Sequence, residues 1–289
     1  MPLITTPAGV EVYYETAGDP SAEPLVLLHG GGAQLIGWSE EFVALLVQAG
    51  FFVVRPDNRD VGLSQQTGGP DDLLADYDLN DMADDVLALL DHLGIERAHL
   101  TGMSMGGFIA QLIAIAKPER VASLGLMSTT PCSDAEFLVG EPGDGQPVTQ
   151  APELLEHDAY VQMFVRGQQG LQSPGFPFDE QESAALAKRY YERIYRPDGL
   201  VRQWNAMLRG PLDRREQLRG LEVPAVVIHG RRDQLLNHRA ATEFAELLPQ
   251  AEIHLYAQMG HDVPRELWPE FVTVLARTAG LASAPGGAQ

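Results

Sequence analysis

One cysteine, Cys132, occurs in 289 residues. That excludes an internal disulfide and any metal site built on several thiolates, and leaves Cys132 as a small buried or loop residue. Lysine is almost as scarce, since only Lys117 and Lys188 accompany the arginines. Twenty basic residues against forty acidic ones give a formal charge of −20. Such a chain repels phosphate backbones and anionic lipid surfaces, so nucleic-acid and membrane partners are disfavoured. No run of about 18 apolar residues occurs, and the start, Met1-Pro2-Leu3-Ile4-Thr5-Thr6, has no basic segment leading into an apolar one. A soluble cytoplasmic chain is the expectation. No His-Glu-x-x-His or similar ligand spacing is present, so neither metal nor cofactor is expected. The sequence contains no internal repeat.

What the chain does have is a regular alternation of short apolar runs and helical patterns. After a predicted N-terminal hairpin around Thr6-Pro7-Ala8-Gly9, the run Pro24 to His29 reads as a strand buried on both faces and ends in Gly30-Gly31-Gly32. A helix over Glu40 to Ala49 and a strand over Phe51 to Val54 follow. Leu79, Met82, Ala83, Val86, Leu87, Leu90 and Leu93 recur at helical spacing and predict an amphipathic helix stopped by Gly94. Further buried strands are predicted at Val121 to Met127, Pro224 to His229 and Glu252 to Tyr256, with helices over Arg239 to Leu248 and Leu267 to Ala279. Strand, glycine loop, helix, strand and acid also outline a dinucleotide-binding unit. That fingerprint fails here, because its third glycine position counted from Gly30 is Leu35.

Between about Ser133 and Asp213 the texture changes. A loop over Gly140 to Pro147 precedes helical patterns at Leu154 to Phe164, Asp179 to Tyr195 and Leu200 to Leu208, with Asp179 and Glu182 spaced as a capping box. The expected organisation is a core in residues 1–132, a helical cap in 133–213, the rest of the core in 214–280 and a flexible tail in 281–289. Most aromatic residues of the cap are expected to pack within it. Phe164, Phe178, Trp204 and Met207 are the candidates to face a substrate.

The chemistry centres on Gly102-Met103-Ser104-Met105-Gly106, between an apolar approach and a helical exit. A bare G-x-S-x-G arises by chance in roughly one chain in ten of this composition, so its surroundings decide. They are informative: His29, Ser104, Asp233 and His261 all fall at or just past the carboxyl ends of predicted strands, where doubly wound sheets bind ligands. Acyl transfer needs such a set: a nucleophile, a base to take its proton, an acid to orient the base, and fixed N–H donors for the oxyanion. Asp134 is the rival acid, standing after the preceding strand. His229 and His254 lie at or within strands, where packing or a backbone hydrogen bond is expected, and His92, His99, His157 and His238 have no recognisable catalytic setting.

The chain order Ser, Asp, His, together with His29-Gly30-Gly31-Gly32, the loop Asp57 to Ser64 and the elbow at Gly102 to Gly106, resembles the α/β-hydrolase fold family over nearly the whole chain. The resemblance implies a doubly wound, mainly parallel α/β sheet with an inserted cap. It implies Ser104 as nucleophile, His261 as general base and acid, Asp233 as orienting carboxylate, and the N–H groups of Gly31 and Met105 as oxyanion hole, with Gly32 as the alternative to Gly31. In the family's D-x-R-G-x-G-x-S loop this chain carries Asp60 in place of the first glycine. The loop, the Phe176-Pro177-Phe178-Asp179 stretch and the short N-terminal hairpin are similar to the aclacinomycin methylesterase group, which implies removal of a methyl ester from an aromatic polyketide. Ester hydrolysis is the leading expectation. Lactone or carbon–carbon bond hydrolysis and cofactor-free perhydrolysis are alternatives within enzymes, and a small-molecule receptor is the alternative from another class.

Overall fold

The computed structural model describes residues 2–139 and 145–281. Residues 140–144 of the expected loop and residues 282–289 of the expected tail lie outside that range. Eight strands form one sheet: β1 (Leu3–Thr5), β2 (Glu11–Ala17), β3 (Glu23–Leu28), β4 (Phe51–Pro56), β5 (Ala98–Met103), β6 (Val121–Met127), β7 (Ala225–Gly230) and β8 (Ala251–Tyr256). Their spatial order is β1-β2-β4-β3-β5-β6-β7-β8. The first two strands form the expected antiparallel hairpin and β2 runs antiparallel to β4, while every other pair is parallel.

Strand residues alternate strictly between the two faces. Val26 and Leu28 enter one apolar cluster, and Leu25 and Leu27 enter the other. Helices α2 (Leu79–His92), α3 (Met105–Ala116) and α8 (Arg239–Leu247) cover the first face, and α1 (Glu40–Gln48) and α9 (Trp268–Thr278) cover the second. Continuous apolar strands are therefore buried on both sides, as a parallel sheet requires. Among the described residues no helix is long and apolar enough to cross a membrane.

Local chemistry sets the helix ends. Asp78 caps α2 reciprocally: its side chain accepts the Asn80 and Asp81 N–H groups, and Asp81 Oδ2 accepts the Asp78 N–H at 2.8 Å. Such a cap contributes about 1 kcal/mol. At Asp179 only half of the expected box forms, the Glu182 N–H donating to Asp179 Oδ1. Glu182 instead reaches Arg265.

Helices α4 (His157–Leu171), α5 (Glu180–Arg193), α6 (Pro197–Arg209) and the short α7 (Arg215–Leu218) are inserted between β6 and β7. The first of these starts three residues later than the apolar pattern suggested and runs past Phe164 through Gly167 and Gly170. The insertion has its own apolar cluster around Tyr160, Ala187 and Tyr190, which also takes Tyr13, Leu35 and Ile36 from the core. Polar contacts add to this seam. Arg193 pairs with Asp57 at 2.9 Å, Gln34 Nε2 donates to the Tyr190 carbonyl, and the Tyr190 hydroxyl donates to the Gln34 carbonyl.

Candidate active site

Ser104 follows β5 directly and has φ 52° and ψ −119°, a left-handed conformation that a non-glycine residue adopts only where its surroundings force it. The force comes from close packing of the turn. A Cβ on Gly102 would lie 2.2 Å from the Gly106 carbonyl oxygen, and one on Gly106 would lie 2.2 Å from that of Leu28. Only hydrogen fits at either place, which is why both motif glycines are needed. The elbow is tied down by the Ser104 N–H to the Met127 carbonyl at 3.0 Å and the Thr129 hydroxyl to the Ser104 carbonyl at 2.9 Å. Met105 is the first residue of α3, so its N–H has no intrahelical acceptor.

The glycine turn after β3 sits beside the elbow. Ser104 Oγ is 3.9 Å from where a Cβ on Gly30 would stand, and Met105 Sδ is 3.8 Å from the same point on Gly31. The amides of this turn differ. The Gly32 N–H donates to Gln203 Oε1 at 2.7 Å, whereas the Gly31 N–H has no acceptor among the described residues. Gly31 and Met105 thus present free N–H groups next to Ser104, and Gly32 does not.

Asp233, three residues past β7, and His261, five past β8, meet through His261 Nδ1 and Asp233 Oδ2 at 2.8 Å. The other oxygen of Asp233 accepts the Leu235 and Leu236 N–H groups at 2.8 Å each. Burial disfavours the charge on Asp233, but hydrogen bonds from His229 and His261 and their positive field outweigh it and hold the carboxyl well below its ordinary range. An ionised Asp233 fixes the proton of His261 on Nδ1 and leaves Nε2 as the basic nitrogen. No hydrogen bond joins Ser104 Oγ to His261 Nε2. Contacts of this kind commonly tighten only when substrate binds. The rival acid, Asp134, faces outward to Arg215 at 2.9 Å.

The His261 loop is fastened to the end of α4. Its N–H donates to the Leu171 carbonyl at 3.0 Å, and Ser173 Oγ bonds Asp262 while accepting the Gly260 N–H at 2.8 Å. Helix α6 approaches from the side of the glycine turn. Leu200 Cδ1 and Met207 Cε come within 3.9 Å of the Cβ position of Gly31, and Trp204, between them on the same face, is 52% exposed. Phe164 packs on Tyr160 and Tyr190. Phe178 is half-buried in the segment before α5. A surface hollow of about 270 Å³ beside Arg59, Asp81 and Asp85 shares no residue with this set. The site is located by converging chemistry, not by that concavity.

A family model described as alpha/beta hydrolase fold matches residues 23–264. The chain belongs to the α/β-hydrolase fold family. Among curated relatives, rhodomycin D methylesterase DauP of Streptomyces sp. (strain C5) is 31% identical over an alignment of 286 residues, covering 88% of this chain and 90% of the relative. The 2-hydroxymuconate semialdehyde hydrolase of Pseudomonas sp. (strain CF600) is 29% identical over 264 residues, covering 88% and 85%. Among solved structures, the enol-lactonase from Burkholderia xenovorans LB400 superposes with a TM-score of 0.74 at 23% identity, covering 96% of this chain and 100% of that one. The esterase RhEst1 from Rhodococcus sp. ECU1013 does so with 0.72 at 23%, covering 98% and 100%. At that identity the structures speak for the shared α/β-hydrolase fold.

Three residues of the site were not singled out by sequence reasoning. His229, expected to serve packing or a backbone bond, does place Nε2 3.1 Å from the Leu236 carbonyl, but the same nitrogen is 3.4 Å from Asp233 Oδ2. Because a carbonyl only accepts, that nitrogen carries the proton and faces the carboxylate. Its spacing of four from Asp233 was the available signal. Leu200 and Gln203 left no signal, because nothing in α6's pattern says which residue meets the glycine turn.

Proposed function

We propose that the chain hydrolyses a carboxylic ester of a neutral, mainly apolar, ring-bearing small molecule through an acyl-enzyme on Ser104. The observations that support this reading are the 2.8 Å Asp233–His261 pair, the left-handed serine elbow and the free amides of Gly31 and Met105. His261 Nε2 takes the Ser104 proton as Oγ attacks the ester carbonyl, and Asp233 stabilises the imidazolium. The oxyanion lies between the Gly31 and Met105 N–H groups, each worth about 3 kcal/mol of transition-state stabilisation. His261 returns the proton to the leaving alcohol. It then takes one from the water that attacks the acyl group, releasing acid and restoring Ser104.

The methylesterase relatives support a methyl ester of an aromatic polyketide as the substrate. The apolar face of α6 fits flat rings. A carbon–carbon hydrolase of dianionic substrates fits less well. Arg193, Arg196 and Arg202, which the cap brings toward the core loops, are already paired with Asp57, Asp198 and Asp60. Fluorophosphonate labelling and product analysis on methyl and aryl esters, lactones, diketones and peroxide test the reading. Labelling and ester turnover are expected in the wild type and absent in Ser104→Ala. Full turnover by Ser104→Ala refutes the acyl-enzyme, and a folded wild type that binds but neither labels nor turns over is a receptor.

A further inference from the structure

Gln203 is completely buried in α6, and both ends of its amide cross from the cap to the core. Oε1 accepts the Gly32 N–H at 2.7 Å, and Nε2 donates to the Arg59 carbonyl at 2.7 Å. One side chain therefore joins two core loops that are adjacent in space but separate in sequence. Its neighbour Arg202 anchors the same helix turn, donating to Asp60 Oδ1 at 2.9 Å and to the Gly69 and Asp72 carbonyls at 3.2 and 3.1 Å.

The consequence follows from peptide geometry. Three successive glycines have the widest backbone freedom available, while an oxyanion donor is useful only if its direction is set before the charge develops. The Gly31 N–H shares a planar peptide with the Gly30 carbonyl, which accepts the Ala33 N–H at 3.2 Å. That single long bond is the first restraint. The next peptide plane carries the Gly32 N–H, and Gln203 holds it with a much shorter bond. Gly32 sits at φ 73°, and a Cβ there would come 2.9 Å from Leu200 Cδ1, so the turn is also pressed against α6.

We infer that Gln203 is a positioning residue of the oxyanion hole: by holding the Gly31–Gly32 peptide plane, it aims the Gly31 N–H at the reacting carbonyl and withdraws Gly32 from that role. The inference rests on the acyl-transfer reading above. It makes α6, whose Leu200 and Met207 already flank the glycine turn, the frame of the hole.

Three variants test it, assayed on p-nitrophenyl butyrate and on an aryl trifluoromethyl ketone, whose hemiketal oxyanion would occupy the hole. Gln203→Met removes acceptor and donor at similar length. We expect kcat to fall about 30-fold and the ketone to bind more weakly by a similar factor, with KM within about twofold. This is less than the 100- to 1,000-fold typical of deleting a donor, because the donor is misaimed and not lost. Gln203→Glu keeps an acceptor for Gly32 and should stay within about fivefold of wild type on both readouts. If Gln203→Met does not fold, Gln203→Asn, one methylene short of Gly32, takes its place with the same expectation. Wild-type kcat and ketone affinity in folded Gln203→Met or Gln203→Asn, whatever the melting temperature, overturns the positioning role. So does an equal loss in Gln203→Glu. Ser104→Ala keeps the two readings apart: its full turnover removes the acyl-transfer mechanism, whereas an inactive Ser104→Ala beside unchanged Gln203 variants removes only the positioning role.

Discussion

Asp60 stands where the family's loop motif has glycine, and its φ of 68° shows why glycine would be at ease there. Asp60→Gly therefore poses a contest between backbone and side chain. On the backbone side, releasing a left-handed L-residue gains about 1 kcal/mol, less for aspartate, which tolerates this region. The greater freedom of glycine in the unfolded chain costs about as much. On the side-chain side, the fully buried carboxylate of Asp60 accepts from Arg202 Nε at 2.9 Å, the Thr67 N–H at 2.8 Å, the Thr67 hydroxyl at 2.6 Å and the Tyr77 hydroxyl at 2.7 Å. Burial and the Asp60 charge keep the Tyr77 hydroxyl far above its ordinary pKa, so it remains a donor. Removing one partner of a buried ion pair costs about 3–5 kcal/mol. Arg202 keeps Asp198 Oδ2 at 2.8 Å, outside directed hydrogen-bond geometry, so the lower end applies. Leaving the Tyr77 and Thr67 donors without their acceptor adds about 1 kcal/mol. The net loss is about 4 kcal/mol, or roughly 8 °C of melting temperature for a chain of this size. Urea unfolding and calorimetry check it, with Asp60→Asn falling between. A melting temperature at or above wild type for Asp60→Gly would falsify the claim that the carboxylate network outweighs the backbone.

The remaining predictions concern pH and substrate. Burial, opposed by a backbone bond at Gly37 and aided by the charge of His261, lowers the His29 pKa from 6.5 to about 4. Between those values the unfolded chain holds a proton that the folded chain refuses, so stability falls as pH drops through this window, by up to about 3 kcal/mol. Asp233, with its pKa depressed, contributes stability that is present above its ordinary value of 3.8 and lost only below it, outside the window. Urea titrations from pH 7 to 4 should show the loss in wild type and a flatter curve in His29→Gln. Parallel curves would contradict the assignment. Trp204→Ala should raise KM for naphthyl esters about tenfold, the order of a lost aromatic contact, and leave KM for a small acetate ester unchanged. Because Trp204 is more than half exposed, its melting temperature should move little, and an unchanged naphthyl-ester KM would place the ligand elsewhere.

The order of elements, the placement of Ser104 at a strand end and the chain order of Ser104, Asp233 and His261 were determined by sequence alone. Each is a local property. A strand buried on both faces must be apolar throughout, a tight elbow needs glycines at fixed spacing, and an alternating βα pattern brings successive strand ends to one edge. Helix ends in the cap were less legible, because α4 continues through Gly167 and Gly170 without an apolar stripe to mark it. The partners of particular side chains were decided only in three dimensions. Gln203 meets Gly32 across 171 positions and Arg202 meets Asp60 across 142. His229 and Asp233 stand four residues apart in the chain, but only the curl of the loop between them brings His229 Nε2 within 3.4 Å of the carboxylate. Long-range polar contacts leave no repeating trace in the chain, so packing of the cap against the glycine turn, and not composition or spacing, decided that Gln203 holds the Gly32 amide while the Gly31 amide has no acceptor among the described residues.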